Sequence, residues 1–79
     1  MAKVQWRKAA DDGTAWVADP EPAIHLAVWK ATQGHIGWDW HALDPQGNRL
    51  AMEWGKYTLE DAKASAEAWY ASWAAAHRR

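Results

Sequence analysis

The feature that most constrains the fold is the run from residue 58 to residue 77. Leu59, Ala62, Ala66, Trp69, Trp73 and Ala76 recur at spacings of three and four, which draws one apolar stripe along a helix. Alanine, the strongest helix former, fills the body. Thr58 stands where an N-cap belongs, and Asp61 where a capping-box acid belongs. Glu60 and Asp61 meet the positive end of the helix dipole, and His77, Arg78 and Arg79 the negative end. A helix over 59–77 is about 28 Å long at about 1.5 Å per residue. Its stripe needs a second layer of matching length.

Three segments upstream supply that layer. In residues 23–32, Ile24, Leu26 and Val28 point one way, and His25, Ala27 and Trp29 the other. In residues 35–43, Ile36, Trp38 and Trp40 oppose Asp39 and His41. In residues 48–54, Leu50, Met52 and Trp54 oppose Arg49, Ala51 and Glu53. Period-two alternation in three successive segments predicts a sheet with one covered face. Gln33-Gly34 and Asp44-Pro45-Gln46-Gly47 read as the turns between them. The helix is expected to lay its alanines against Trp38, Trp40 and Trp54. The predicted class is therefore α+β: a small antiparallel sheet of three to five strands packed against one C-terminal helix.

The N-terminal part is less regular. Residues 4–9 and 14–18 are short β-prone runs around the turn Asp11-Asp12-Gly13, so 1–19 reads as a weak hairpin. Asp19-Pro20-Glu21-Pro22 reads as a loop, because two prolines in three residues do not suit a central strand. The whole of 1–79 is expected to be one domain, with the three-stranded sheet in 23–57.

Composition narrows the function classes. Eight tryptophans and no phenylalanine make tryptophan the main large hydrophobe. Most of these rings are expected in the core, with a minority left outside as anchors, since tryptophan is enriched at interface hot spots. There is no cysteine, hence no disulfide framework and no thiolate metal site, which suits a reducing bacterial cytoplasm. Lys3, Arg7, Lys8, Asp11, Asp12 and Asp19 interrupt the first twenty residues, so no signal peptide is read there. No window reaches the roughly 18 apolar residues of a membrane span. Nine basic residues against ten acidic ones give a formal net charge of −1, without the basic excess of a phosphate-binding protein.

The chemistry-bearing groups gather on the polar face of the expected sheet: His25, Trp29, Asp39, His41, Arg49 and Glu53. These are the candidate partner-binding residues. Two histidines and an acid have the makings of a metal site, but a solvated open sheet face accounts for them more simply. No cofactor is expected. Ser65 and Ser72 lie within the helix, away from any strand-to-helix elbow. The acid pairs Asp11-Asp12 and Glu60-Asp61 serve a turn and a helix start, and the five glycines are isolated, so no phosphate cradle forms. An enzyme is not expected.

Trp38-x-Trp40-x-Ala42, then Gly47, then Gly55-Lys56-Tyr57-Thr58-Leu59-Glu60-Asp61-Ala62 resembles the three-strand-plus-helix DNA-binding domains of phage integrase arms and plant ethylene-response factors. That resemblance covers about half of the chain and implies a sheet that reads DNA. Those families use several arginines for this, whereas the corresponding strands here offer Arg49 beside two acids. In size and tryptophan-rich style, with ends that read as complete, the chain also resembles the small type I anti-CRISPR proteins of phages and mobile elements. That resemblance implies steric inhibition, the chain binding a protein subunit of a host type I CRISPR surveillance complex and blocking its hold on target DNA; by the charge balance, direct nucleic-acid binding by this chain is not expected. Asp11, Asp12, Asp19, Glu21, Asp39 and Glu53 would then face a basic channel, with Trp29, Trp6 or Trp16 as anchors. The chain is expected as a monomer or homodimer in the host cytoplasm.

Overall fold

The computed structural model describes residues 4–31 and 36–77. Five strands run in chain order: β1 (Arg7–Lys8), β2 (Ala15–Glu21), β3 (Ile24–Lys30), β4 (Trp38–Leu43) and β5 (Arg49–Lys56). One helix, α1 (Leu59–His77), closes the chain. Every neighbouring pair is antiparallel and the spatial order is the sequence order, so the sheet is a simple meander. The expected α+β class, a small sheet with one C-terminal helix, holds. The turn at 33–34, the strand ends placed at 32 and 35, and the arginines at 78 and 79 lie outside the described residues.

The helix begins as its sequence predicts. The Asp61 amide donates to Thr58 Oγ1 at 3.0 Å, and the Ala62 amide to the Thr58 carbonyl. The first satisfies a donor that the opening turn leaves without a helical partner, and the second is the first bond of the helix itself. The buried stripe is Ala62, Ala66, Tyr70 and Ala74, a strict four-residue repeat. It is rotated slightly from the expected one: Trp69 and Trp73 flank it half-buried, and Ala76 is exposed. Tyr70 takes the central place because its hydroxyl has a buried outlet, donating to Glu21 Oε1 at 2.6 Å.

The sheet contributes Ala18, Ile24, Leu26, Val28, Trp40 and Ala42 to the core. Trp40 is the largest fully buried side chain. Enclosing an indole of about 150–250 Å² is worth about 4–6 kcal/mol of gross burial at about 25 cal/mol per Å². Alanines on the helix leave room for that ring, so large sits against small, as expected for Trp40.

Two expectations about the strands need correction. The segment 19–22 is not a free loop: β2 continues through Asp19-Pro20-Glu21, and β2 lies between β1 and β3. Between Ala18 and Glu21 the strand advances three residues while β3 advances two, from Leu26 to Ile24. That bulge holds Pro20. Two-residue β1 ends its pairing at Val17, so nothing in the ladder asks Pro20 for an amide proton. The hairpin therefore joins the main sheet. It is tied to the helix by Trp6 Nε1 donating to Glu67 Oε2 at 2.7 Å and by Lys63 Nζ set 4.1 Å over the Trp16 ring.

The second correction concerns β5. Its pairing with β4 slips twice, at Leu50 and again at Trp54-Gly55. Each slip adds one residue and exchanges the faces beyond it. Ala51 and Glu53 consequently point to the helix side, while Leu50 and Trp54 are exposed, Trp54 at 65%. Trp54 does not pack under the helix. As the sheet's outer strand, β5 lies at the margin of the helix, which sits chiefly over β3 and β4.

Candidate functional site

The side of the sheet away from the helix carries a row that crosses all five strands. Arg7 pairs with Val17, Val17 with Ala27, Ala27 with His41, and His41 with Met52. A second row joins Ala15, Trp29 and Asp39, and a third joins His25, Leu43 and Arg49. Direct cross-strand partners share a face. His25, Trp29 and His41 are thus brought together as the alternation of β3 and β4 predicts, and Arg49 of β5 joins them opposite Leu43. Among the described residues no element covers this face.

Trp29 and His41 meet edge to face, with ring centroids 4.8 Å apart. Loss of water around the half-buried His41 imidazole lowers its pKa below the ordinary histidine value, and the positive charge of Arg49 and then the nearby His25 add to that. Arg49 donates to the Met52 sulfur at 3.0 Å. At the other margin, Asp19 accepts from Arg7 at 2.6 Å and from His25 at 2.7 Å. These bonds, Arg7 first and His25 second, hold its carboxyl below the usual range. The middle of the face (Val17, Ala27, Trp29, His41, Leu43 and Met52) is half-buried, and the exposed Arg7, Asp19 and Arg49 stand at its edge.

Two expected members of the site are placed differently. Asp39 belongs to this side of the sheet but is 7% exposed, and its carboxylate accepts the Gly55 amide at 2.9 Å. It holds the bulge rather than facing solvent. Glu53 lies on the opposite side, where its Oε1 accepts from Ser65 Oγ at 2.6 Å and from Lys56 Nζ at 2.8 Å. The Lys56 bond, then the Ser65 bond, keep Glu53 ionised below the usual carboxylate range. The buried Trp40 indole N–H lies close enough to add slightly to that lowering, yet finds no acceptor in hydrogen-bonding geometry.

Comparison with protein-family models, curated proteins and solved structures finds no match to this chain. The site rests on its own geometry.

That geometry also engages five of the six acids expected to face a basic channel. Asp12 caps its own turn through Thr14, Asp19 holds Arg7 and His25, and Glu21 receives the Tyr70 hydroxyl. Asp39 and Glu53 are engaged as described. Among the described residues no three His, Asp or Glu side chains converge as a metal site requires. None of the described helices is long and apolar enough to cross a membrane.

Reading the sequence missed Arg7, Val17, Asp19 and Met52 as members of the face. The first three depend on the hairpin joining the sheet, which period-two patterning of short runs does not reveal. Met52 depends on the slip at Leu50, which no residue type in that stretch marks.

Proposed function

We propose that this chain is a non-enzymatic protein-binding inhibitor that meets its partner through the uncovered face of its sheet. The observation that carries the reading is the row Arg7–Val17–Ala27–His41–Met52 with Trp29 beside it. It is apolar and aromatic in the middle and charged at its margins. Contiguous apolar surface rimmed by polar groups is characteristic of protein contact sites, and a tryptophan at the centre is a common anchor. The partner class proposed is a protein subunit of a type I CRISPR surveillance complex in a bacterial host, on the strength of the resemblance in size and style given above. The internal engagement of Asp12, Asp19, Glu21, Asp39 and Glu53 favours binding by aromatic packing and Arg49, rather than by offering acids to a basic channel.

One observation favours a second reading, a sheet-type nucleic-acid module. With Glu53 on the helix side and Asp39 buried, Arg7, His25, His41 and Arg49 share the open face with Asp19 as its exposed acid. Glu53 thereby leaves the face, and Asp39 is set behind its surface.

The test is a pull-down of tagged protein from lysate of a CRISPR-bearing bacterium, with and without nuclease, beside the variant Trp29→Ala. Surveillance-complex subunits should survive nuclease and be lost with Trp29→Ala, whose thermal melt should stay close to that of the parent. Recovery of nucleic acid alone, with affinity that falls steeply as salt rises, would replace this reading with the second.

A further inference from the structure

Between the outer strand and the helix lies a recess of about 390 Å³, within the roughly 300–1,000 Å³ of small-molecule sites. Its walls are Ala51 and Glu53 of β5 and Ser65, Ala68, Trp69 and Ser72 of α1. The first slip in β5 turns Ala51 and Glu53 toward the helix. Positions 65, 68, 69 and 72 share one side of α1 by their spacing of three and four. The helix sits chiefly over β3 and β4, so the two walls stand apart. Four of these side chains are alanine or serine, too short to close the gap.

Small residues alone would be a detail of packing. Trp40, which also lines the recess, makes it more than that. Trp40 is 1% exposed, and its indole N–H has no acceptor among the described residues. A buried donor left unpaired carries its full desolvation cost. This one lies beside the carboxylate of Glu53, itself a wall of the recess. Glu53 is engaged through one oxygen: Ser65 Oγ and Lys56 Nζ both donate to Oε1, and neither reaches Oε2. The recess therefore sets a donor that lacks an acceptor next to a carboxylate oxygen that lacks a donor.

We infer that this recess binds an uncharged planar ring carrying a lactam edge, a carbonyl beside an N–H. The carbonyl accepts from Trp40 Nε1, and the N–H donates to Glu53 Oε2. An indole offers a donor only and a carboxylate acceptors only, so the pair calls for an acceptor and a donor side by side on the ligand. The flat of the ring lies against Trp69, whose own ring is tilted toward Trp40 at 6.3 Å between centroids, and against the methyl groups of Ala51 and Ala68. The negative charge of Glu53 disfavours an anion there. The Trp40 N–H has almost no exposed surface of its own, so the half-exposed Glu53 side chain turns aside as the ring comes in. The inference is independent of the partner-binding face, which lies on the other side of the sheet.

The experiment titrates the isotope-labelled full chain with uracil and follows the indole N–H signals by NMR. The Trp40 signal is assigned by through-space contacts and by its loss in Trp40→Phe. Uracil should shift that signal in a saturable way. Fully N-methylated uracil keeps the carbonyls and loses the donors, and benzoate is an anion. Each should bind at least about tenfold more weakly, the factor that one hydrogen bond commands. Ala68 and Ser72 are exposed, so Ala68→Leu and Ser72→Leu should keep the parent's thermal melt. Their larger side chains fill the recess, and the response to uracil should be lost. A Trp40 signal that uracil leaves unmoved would assign that N–H to water alone and overturn the inference. Equal binding of either control, or an undiminished response in both leucine variants, would overturn it as well.

Discussion

The Asp39 carboxylate accepts the backbone amide of Gly55 at 2.9 Å, across the β4–β5 pair. Gly55 sits at φ +73, a conformation that costs a residue with a Cβ. The extra residue at Trp54-Gly55 leaves an amide without a ladder partner, and the buried Asp39 provides its acceptor. Together the two residues set the end of β5, keeping Lys56 on the helix side with Trp38 while Trp54 turns outward.

Removing that acceptor is therefore costly. Asp39→Ala should destabilise the fold by about 1–3 kcal/mol, the range for stranding a buried donor. Asp39→Asn keeps an acceptor oxygen and should cost less. Urea unfolding of the two variants side by side gives the order; equal losses would remove the hydrogen bond as the cause.

The tryptophans differ in weight. Trp40→Ala should cost about 3–5 kcal/mol, as a fully buried large-to-small change does. Trp73 stacks between Trp69 and His77 but remains half-buried, so Trp73→Ala should cost clearly less. Thermal melts that put Trp73 first would show that the helix is rotated from the position described here.

Gly37 and Gly13 separate close approach from backbone conformation. Both have positive φ, +93 and +78. A Cβ on Gly13 would meet nothing within 4 Å, so Gly13→Ala should cost only the conformational strain of about 1–2 kcal/mol. A Cβ on Gly37 would stand 2.2 Å from the Lys56 carbonyl oxygen, which is backbone and cannot swing away. Gly37→Ala should cost more than Gly13→Ala in the same denaturation assay.

His41 predicts a pH slope. Its pKa in the folded chain lies below the ordinary 6.5, mainly because burial disfavours the imidazolium, with Arg49 and then His25 adding to it. Between the folded value and 6.5 the unfolded chain binds more protons, so stability rises with pH in that window. The His41 contribution is complete above 6.5 and is lost as pH falls below it. His41→Gln should flatten that part of a stability–pH profile; an unchanged slope would assign it to another group.

Much of this molecule can be read along the chain. The capped alanine helix, the outward set of β3 and β4, and the turn at Asp44 follow from local rules: dipole and cap chemistry, a period of two, and the Asp44 side chain holding the amides of Gln46 and Asn48. His25, Trp29, His41 and Arg49 were legible as one face for that reason. What no local rule decides is parity across an extra residue. The bulge at Asp19-Pro20 admits a proline to an inner strand, and the slips in β5 send Glu53 toward Ser65 and Trp54 into solvent. A bulge is settled by which buried amide finds which acceptor across the sheet. That choice exists only once the strands are side by side.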